Sequence, residues 1–306
     1  MLLIVNRRAS SLTPQLERRV VEALGRGGHP PRVLATDDRG HATQLARDAA
    51  GGGAGVVAGL GGDGTLSEVA NGLIGSDASL ACLPGGATNV FCRLTGVPAD
   101  AVAAAVRLAA LLDCQPPRRI DTGKVNGRHF LFASGAGLDA SLAARVDANP
   151  RRKSRLGRGY FAYAAVLTFL RSYLVDPPRL RVQAGYEVVE GITAIVQNAE
   201  PLTYFGTRPV RLNAAAGLDA GSLAVSVLAR ATALDLLTLT PRLFAGSVLG
   251  HHHVEALGPA SVVEVTALGG RPFPLEADGD YLGDVAKAVY ESAPRSLSLV
   301  GYAPPA

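Results

Sequence analysis

The chain has 306 residues, 48% hydrophobic and 18% charged, with a formal net charge of +4 and only three cysteines. That apolar content at low net charge excludes intrinsic disorder, and the 36 glycines follow no Gly-X-Y period, which excludes a collagen-like repeat. The length favours about two domains of ~150 residues, and the basic residues are spread along the chain apart from one run, so charge alone gives no argument for nucleic acid.

Strands and helices alternate through the first third. Residues 2–5 read as a strand, and 12–25 carry Leu16, Val20, Val21 and Leu24 at helical spacing. A strand follows at 31–35, a helix at 41–50 and a buried strand at 55–60 that runs into a glycine-rich turn. A helix at 66–74, a strand at 79–83 and an alanine-rich helix at 99–112 complete the series, which predicts a parallel sheet flanked by helices. Beyond Pro116-Pro117 short strands dominate, at 119–125, 128–133, 180–184, 191–197, 222–229, 262–267 and 297–300, and they predict an antiparallel sandwich. Two helical insertions are expected, 159–174 and 231–249. The expected domains are therefore 1–116 and 117–294, with Pro294 breaking the chain before a last strand, 295–306, that can return to the first domain.

Cys82, Cys92 and Cys114 show no CxxC spacing, which argues against a disulfide framework or a zinc site and fits a reducing compartment. The N-terminal MLLIVNRR is too short for a signal peptide, and the apolar stretch 160–170 is far short of the ~20 residues of a membrane span. A soluble cytoplasmic chain, peripheral to a membrane at most, is expected.

The strongest local signal is Gly61-Gly62-Asp63-Gly64-Thr65-Leu66-Ser67-Glu68. Glycines let a backbone approach a phosphate, the following helix start offers unpaired N–H groups, and Asp63 could orient a Mg²⁺. A plain structural alternative stands beside this: Thr65-x-x-Glu68 has the spacing of a helix capping box. The turn is neither a Walker loop nor GxGxxG.

Gly61–Thr65 with Glu68 and Asn71 resembles the GGDGTxxEVxNG signature of diacylglycerol kinase-type lipid kinases, and NAD kinases and phosphofructokinases share its GGDG core. Leu83-Pro84-Gly85-Gly86-Ala87-Thr88-Asn89-Val90-Phe91 resembles the family's second loop. Ile120-Asp121-Thr122-Gly123 resembles a later strand, Ala277-Asp278-Gly279-Asp280 a late acidic motif, and Asn6 the opening motif. The motifs occur in order over nearly the whole chain. The resemblance implies an α/β nucleotide-binding domain followed by a β-sandwich, and transfer of the γ-phosphoryl group of ATP, with Mg²⁺, to the hydroxyl of diacylglycerol or a related lipid. It implies nucleotide contacts from Asn6, Gly61, Gly62, Asp63, Gly64, Thr65, Glu68, Gly85, Gly86, Thr88 and Asn89. Asp280 is then the expected general base, with Asp121 as its partner or an alternative base. The sequence departs from the family at Ala87, at Val90 where an Asp is usual, at Asp280 where Glu is common, and at Ala220, which puts a structural Mg²⁺ at Asp219 in doubt. An NAD kinase-like enzyme, or a nucleotide- or lipid-binding regulator without turnover, are the alternatives.

The basic run 151–158 precedes an aromatic-rich apolar segment and suits contact with an anionic bilayer, against the alternative of a solvated loop before a core helix. No nucleic-acid partner is expected, and a homodimer is left open. His251-His252-His253 has no carboxylate or Cys at ligand spacing in the nearby sequence and reads as a loop or strand edge. The Asp278-Gly279 pair, apart from the resemblance, reads as a hairpin turn.

Overall fold

The computed structural model describes residues 1–137, 178–230, 232, 235, 238, 242, 245 and 247–301. The expected helix 159–174, the basic run 151–158 and most of the expected helix 231–249 lie outside the described residues. The chain forms two compact units, one from Met1–Asp121 with Pro294–Ala306, the other from Thr122–Ala293.

The first unit alternates β1 (Leu2–Val5), α1 (Pro14–Arg26), β2 (Arg32–Ala35), α2 (His41–Gly51), β3 (Val56–Gly61), α3 (Asp63–Leu73) and β4 (Ser79–Pro84), then adds α4 (Val90–Leu94) and α5 (Ala101–Cys114). The strands pair in parallel in the order β2-β1-β3-β4. β1 and β4 are buried along their whole length, as a parallel strand covered on both faces must be. Leu3, Val5, Leu60 and Leu83 from the sheet pack with Val20 and Leu24 of α1 and Leu108 of α5. Each such side chain contributes about 1.5–3 kcal/mol by leaving water. α1 starts where its sequence says it should: the Thr13 side chain accepts from Leu16 N, and Pro14 supplies a first position that needs no N–H. α2 and α3 lie close because Gly72 has no side chain; a Cβ there would stand 2.4 Å from Thr43 O.

The second unit begins with β5 (Arg118–Val125), which crosses into it from the first, followed by β6 (Arg128–Phe130), β7 (Ala133–Gly137), β8 (Arg179–Ala184), β9 (Glu187–Gly191), β10 (Thr193–Gln197), β11 (Thr203–Phe205), β12 (Arg208–Val210), β13 (Leu223–Leu228), β14 (Val254–Ala260), β15 (Val262–Leu268), β16 (Phe273–Ala277), β17 (Asp280–Val285) and β18 (Lys287–Leu299). One antiparallel sheet runs β14-β13-β10-β7-β16-β17. Against it, β18, β15, β8 and β9 pair antiparallel in that order. Val182, Val196, Val225, Val265, Phe273 and Tyr290 fill the core between these two layers.

Two expectations are corrected here. The expected strand 128–133 is split into β6 and β7, because the N–H groups of Leu131 and Phe132 turn to the Asp278 carboxylate instead of a neighbouring strand. The expected break at Pro294 is absent: β18 continues through it, pairing with β15 at residues 287–291 and in parallel with β4 at Ser298 and Leu299. Pro294 lies between these two stretches, so its missing N–H interrupts neither of these ladders.

Candidate functional site

β3 and β4 are adjacent parallel strands, so the turns that leave their carboxyl ends emerge side by side. Gly85 N donates to Gly61 O at 2.8 Å. The glycines are needed for this contact: a Cβ on Gly85 would stand 3.0 Å from Gly61 Cα, and one on Gly86 2.6 Å from Gly62 Cα. A Cβ on Gly61 would meet Thr65 Oγ1 at 2.5 Å.

α3 begins at Asp63 with Gly62 as its N-cap, and no side chain caps it. The first N–H groups of a helix have no intrahelical acceptor, and the helix dipole adds positive potential there. The Thr65–Glu68 capping box is therefore absent. Thr65 lies inside the helix, where its hydroxyl accepts from Asn6 Nδ2 at 3.0 Å. Glu68 accepts from Gly40 N at 2.8 Å and Ala42 N at 3.2 Å, so it secures the start of α2 and is not turned toward the glycine turns.

The second turn is shaped by its own side chains. Asn89 adopts a left-handed backbone (φ 50°), and its amide closes on Gly86, accepting from N and donating to O, both at 2.8 Å. Asp63 accepts from Val90 N at 3.0 Å and Phe91 N at 2.9 Å, capping α4 from a helix 27 residues earlier. Burial pushes the Asp63 carboxyl above the ordinary Asp range, and those two N–H groups oppose the shift. Val90, where the family usually has Asp, is buried beneath this cap. Ser11 donates its hydroxyl to Gly86 O at 3.1 Å and its N–H to Gly85 O at 3.1 Å, so the loop after β1 clamps the second turn. Sequence reasoning missed Ser11, which belongs to no motif.

The structure thus brings Asn6, Gly61, Gly62, Asp63, Gly64, Thr65, Gly85, Gly86 and Asn89 into one construction, with Thr88 half-buried in the second turn. Asp121 is buried on β5 and accepts from Arg295 N at 2.8 Å. On the second unit, the Asp278 carboxylate receives Leu131 and Phe132 N–H, and Asp278 and Gly279, both with positive φ, form the β16–β17 hairpin turn. Asp280, the first residue of β17, pairs with Arg128 Nη2 at 2.9 Å. Asp219 is exposed, and among the described residues it joins no group of three His, Cys, Asp or Glu ligands.

A polyphosphate fits the first unit's two turns: they offer N–H donors, an uncapped helix start and glycine surfaces, and the Asp63 carboxylate is folded onto Val90 and Phe91 N. A Mg²⁺ fits less directly. Both Asp63 oxygens already receive a backbone N–H, so the group suits contact with a hydrated ion through water.

Residues 1–125 match the family model of the diacylglycerol kinase catalytic domain, and residues 133–301 that of the YegS C-terminal NAD kinase beta sandwich-like domain. The chain belongs to the diacylglycerol kinase-type family. Within it, "Diacylglycerol kinase" of Bacillus subtilis is 26% identical over 266 residues, covering 86% of this chain and 84% of that one. "Probable lipid kinase YegS-like" of Pseudomonas aeruginosa is 40% identical over 132 residues, a stretch that spans 42% of this chain and 42% of that relative. The fold also resembles the crystal structure of a diacylglycerol kinase from Bacillus anthracis, with a TM-score of 0.74 at 24% identity over 99% of this chain and 96% of that one. The departures at Ala87, Val90 and Ala220 are therefore features of a family member, and the Val90 backbone N–H is still used by Asp63.

Proposed function

We propose that this protein is an ATP- and Mg²⁺-dependent lipid kinase that phosphorylates the hydroxyl of diacylglycerol or a related lipid. The observation that carries the reading is the pair of glycine turns packed against each other over an uncapped helix start, in a chain of the diacylglycerol kinase-type family. Phosphoryl transfer asks the protein chiefly for positioning and charge stabilisation. The N–H groups at the start of α3 and along 87–89 would hold the phosphates, and Asn6, Ser11 and Asn89 keep the turns in shape. A Mg²⁺ bound with the nucleotide would supply charge neutralisation, with Asp63 behind its water shell. Asp280 is assigned as the base: the lipid oxygen forms the new P–O bond, the bond to the ADP oxygen breaks, and the hydroxyl proton passes to the Asp280 carboxylate. Arg128 pairs with that carboxylate and orients it.

A regulator without turnover is the second reading, favoured by the engagement of Asp63 with α4 and of Asp280 with Arg128. Incubation with labelled ATP, Mg²⁺, a panel of lipid alcohols and NAD separates these readings. Label on a lipid supports the kinase, label on NAD alone replaces it with an NAD kinase, and bound ATP without transfer leaves the regulator. Contact with an anionic membrane face is proposed from residues 151–170 of the sequence. Among the described residues no helix is long and apolar enough to cross a membrane.

A further inference from the structure

The histidine triplet does not stand alone. The structure brings Asp235 to it, although Asp235 lies 16 positions before His251 in the sequence. Candidate ligand atoms of Asp235, His252 and His253 all lie within 4.8 Å of one another. We propose that these three residues form a site for a divalent transition-metal ion of the zinc class on the second unit.

The carboxylate is buried and anchored: Thr232 donates to Asp235 Oδ2 from its N–H at 2.6 Å and its hydroxyl at 2.9 Å. The turn that carries the imidazoles is pinned by Ala229 N to His253 O at 2.8 Å, Val254 N to His251 O at 2.9 Å and His251 N to Val248 O at 2.9 Å. His251 supports the carboxylate. Its Nδ1 accepts from His253 N at 3.2 Å, which places the proton on Nε2, directed at Thr238 Oγ1 (3.1 Å) and Asp235 Oδ1 (3.5 Å). An outer partner of this kind fixes a ligating carboxylate.

The hydrogen bonds from Thr232 and an ion pair from His253 at 3.1 Å would account for Asp235 and His253. They do not account for His252, whose exposed ring is stacked on His251 with centroids 4.4 Å apart and lies 3.9 Å from His253. Zinc bonds of ~2.0–2.1 Å put tetrahedral ligands about 3.3 Å apart. The His253–Asp235 separation already matches that spacing, and His252 is the ring free to close the remaining ångström or so. Two imidazoles and one carboxylate select Zn²⁺ over the oxygen-seeking Mg²⁺ and Ca²⁺, and three protein ligands leave a position for water.

The test uses the untagged full chain, stripped with chelator, titrated with Zn²⁺ by calorimetry and assayed for metal after dialysis. One zinc per chain is expected, with affinity falling about tenfold or more in His252→Ala and in Asp235→Asn, and unchanged in His29→Ala, whose ring pairs with Asp113 elsewhere. His252 is exposed, so its variant keeps the fold, which circular dichroism checks. Mg²⁺ in place of Zn²⁺ should give no saturable binding at the same concentration. No saturable zinc uptake by the wild type, or equal uptake by His252→Ala, would overturn the proposal.

Discussion

A methyl group on Gly86 would stand 2.6 Å from Gly62 Cα, whereas one on Gly62 would sit 3.4 Å from Gly86 Cα. The two glycines look equivalent in the sequence but not in the packing. Gly86→Ala must part the turns, at a cost of about 1–3 kcal/mol, and is expected to weaken nucleotide binding much more than Gly62→Ala; paired titrations with ATP check this, and equal effects would contradict it. Asp280→Asn should leave ATP affinity intact while lowering turnover by about 10²–10⁴, measured as initial rates at saturating lipid. Full rate in that variant would mean the base is misassigned. At this scale the sequence was read well where a residue acts through its own backbone, as at Asp278-Gly279. It was silent where a side chain acts across the fold: Glu68 secures α2, and Asp63 caps α4, and no local spacing announces either.

Among the elements, α2 and α3 depend on Gly72, and Gly72→Ala would press on Thr43 O and on Ala46 Cβ at 2.7 Å. Both obstacles are fixed parts of a helix, so a loss of about 1–3 kcal/mol is expected, visible as a lower Tm, with no change if the helices were separable. β1, β3, β4 and α1 were legible because continuous apolar runs and a 3.6-residue period need no knowledge of partners. α4 was not, since five residues without a side-chain cap of their own leave no pattern, and its N–H groups are satisfied from α3. β9, Glu187–Gly191, is an edge strand with most of its residues exposed, and so lacks the apolar alternation that marks a half-buried strand.

For the molecule as a whole, pH dependence follows from buried carboxyls. Burial raises Glu200 above the ordinary range against hydrogen bonds from Gln197, Asn213 and Leu212, and burial likewise raises Asp63. An acid that binds its proton more tightly when folded costs stability above its folded pKa, and that cost disappears as pH falls through it. These two groups therefore favour the folded state progressively from neutral pH toward the unfolded carboxyl range near pH 4. Glu200→Gln should flatten that part of the urea-midpoint profile, and an unaltered profile would contradict the assignment. The α/β-then-sandwich order was legible because the two halves differ in period, whereas the meeting of Asp235 with the histidine turn was not, because it joins segments whose spacing carries no signal. The most direct test of the phosphate-binding claim is amide hydrogen exchange with and without Mg²⁺-ATP. Slowed exchange confined to the start of α3 and to residues 87–89 is the predicted result; saturating nucleotide that leaves those amides unchanged would contradict it.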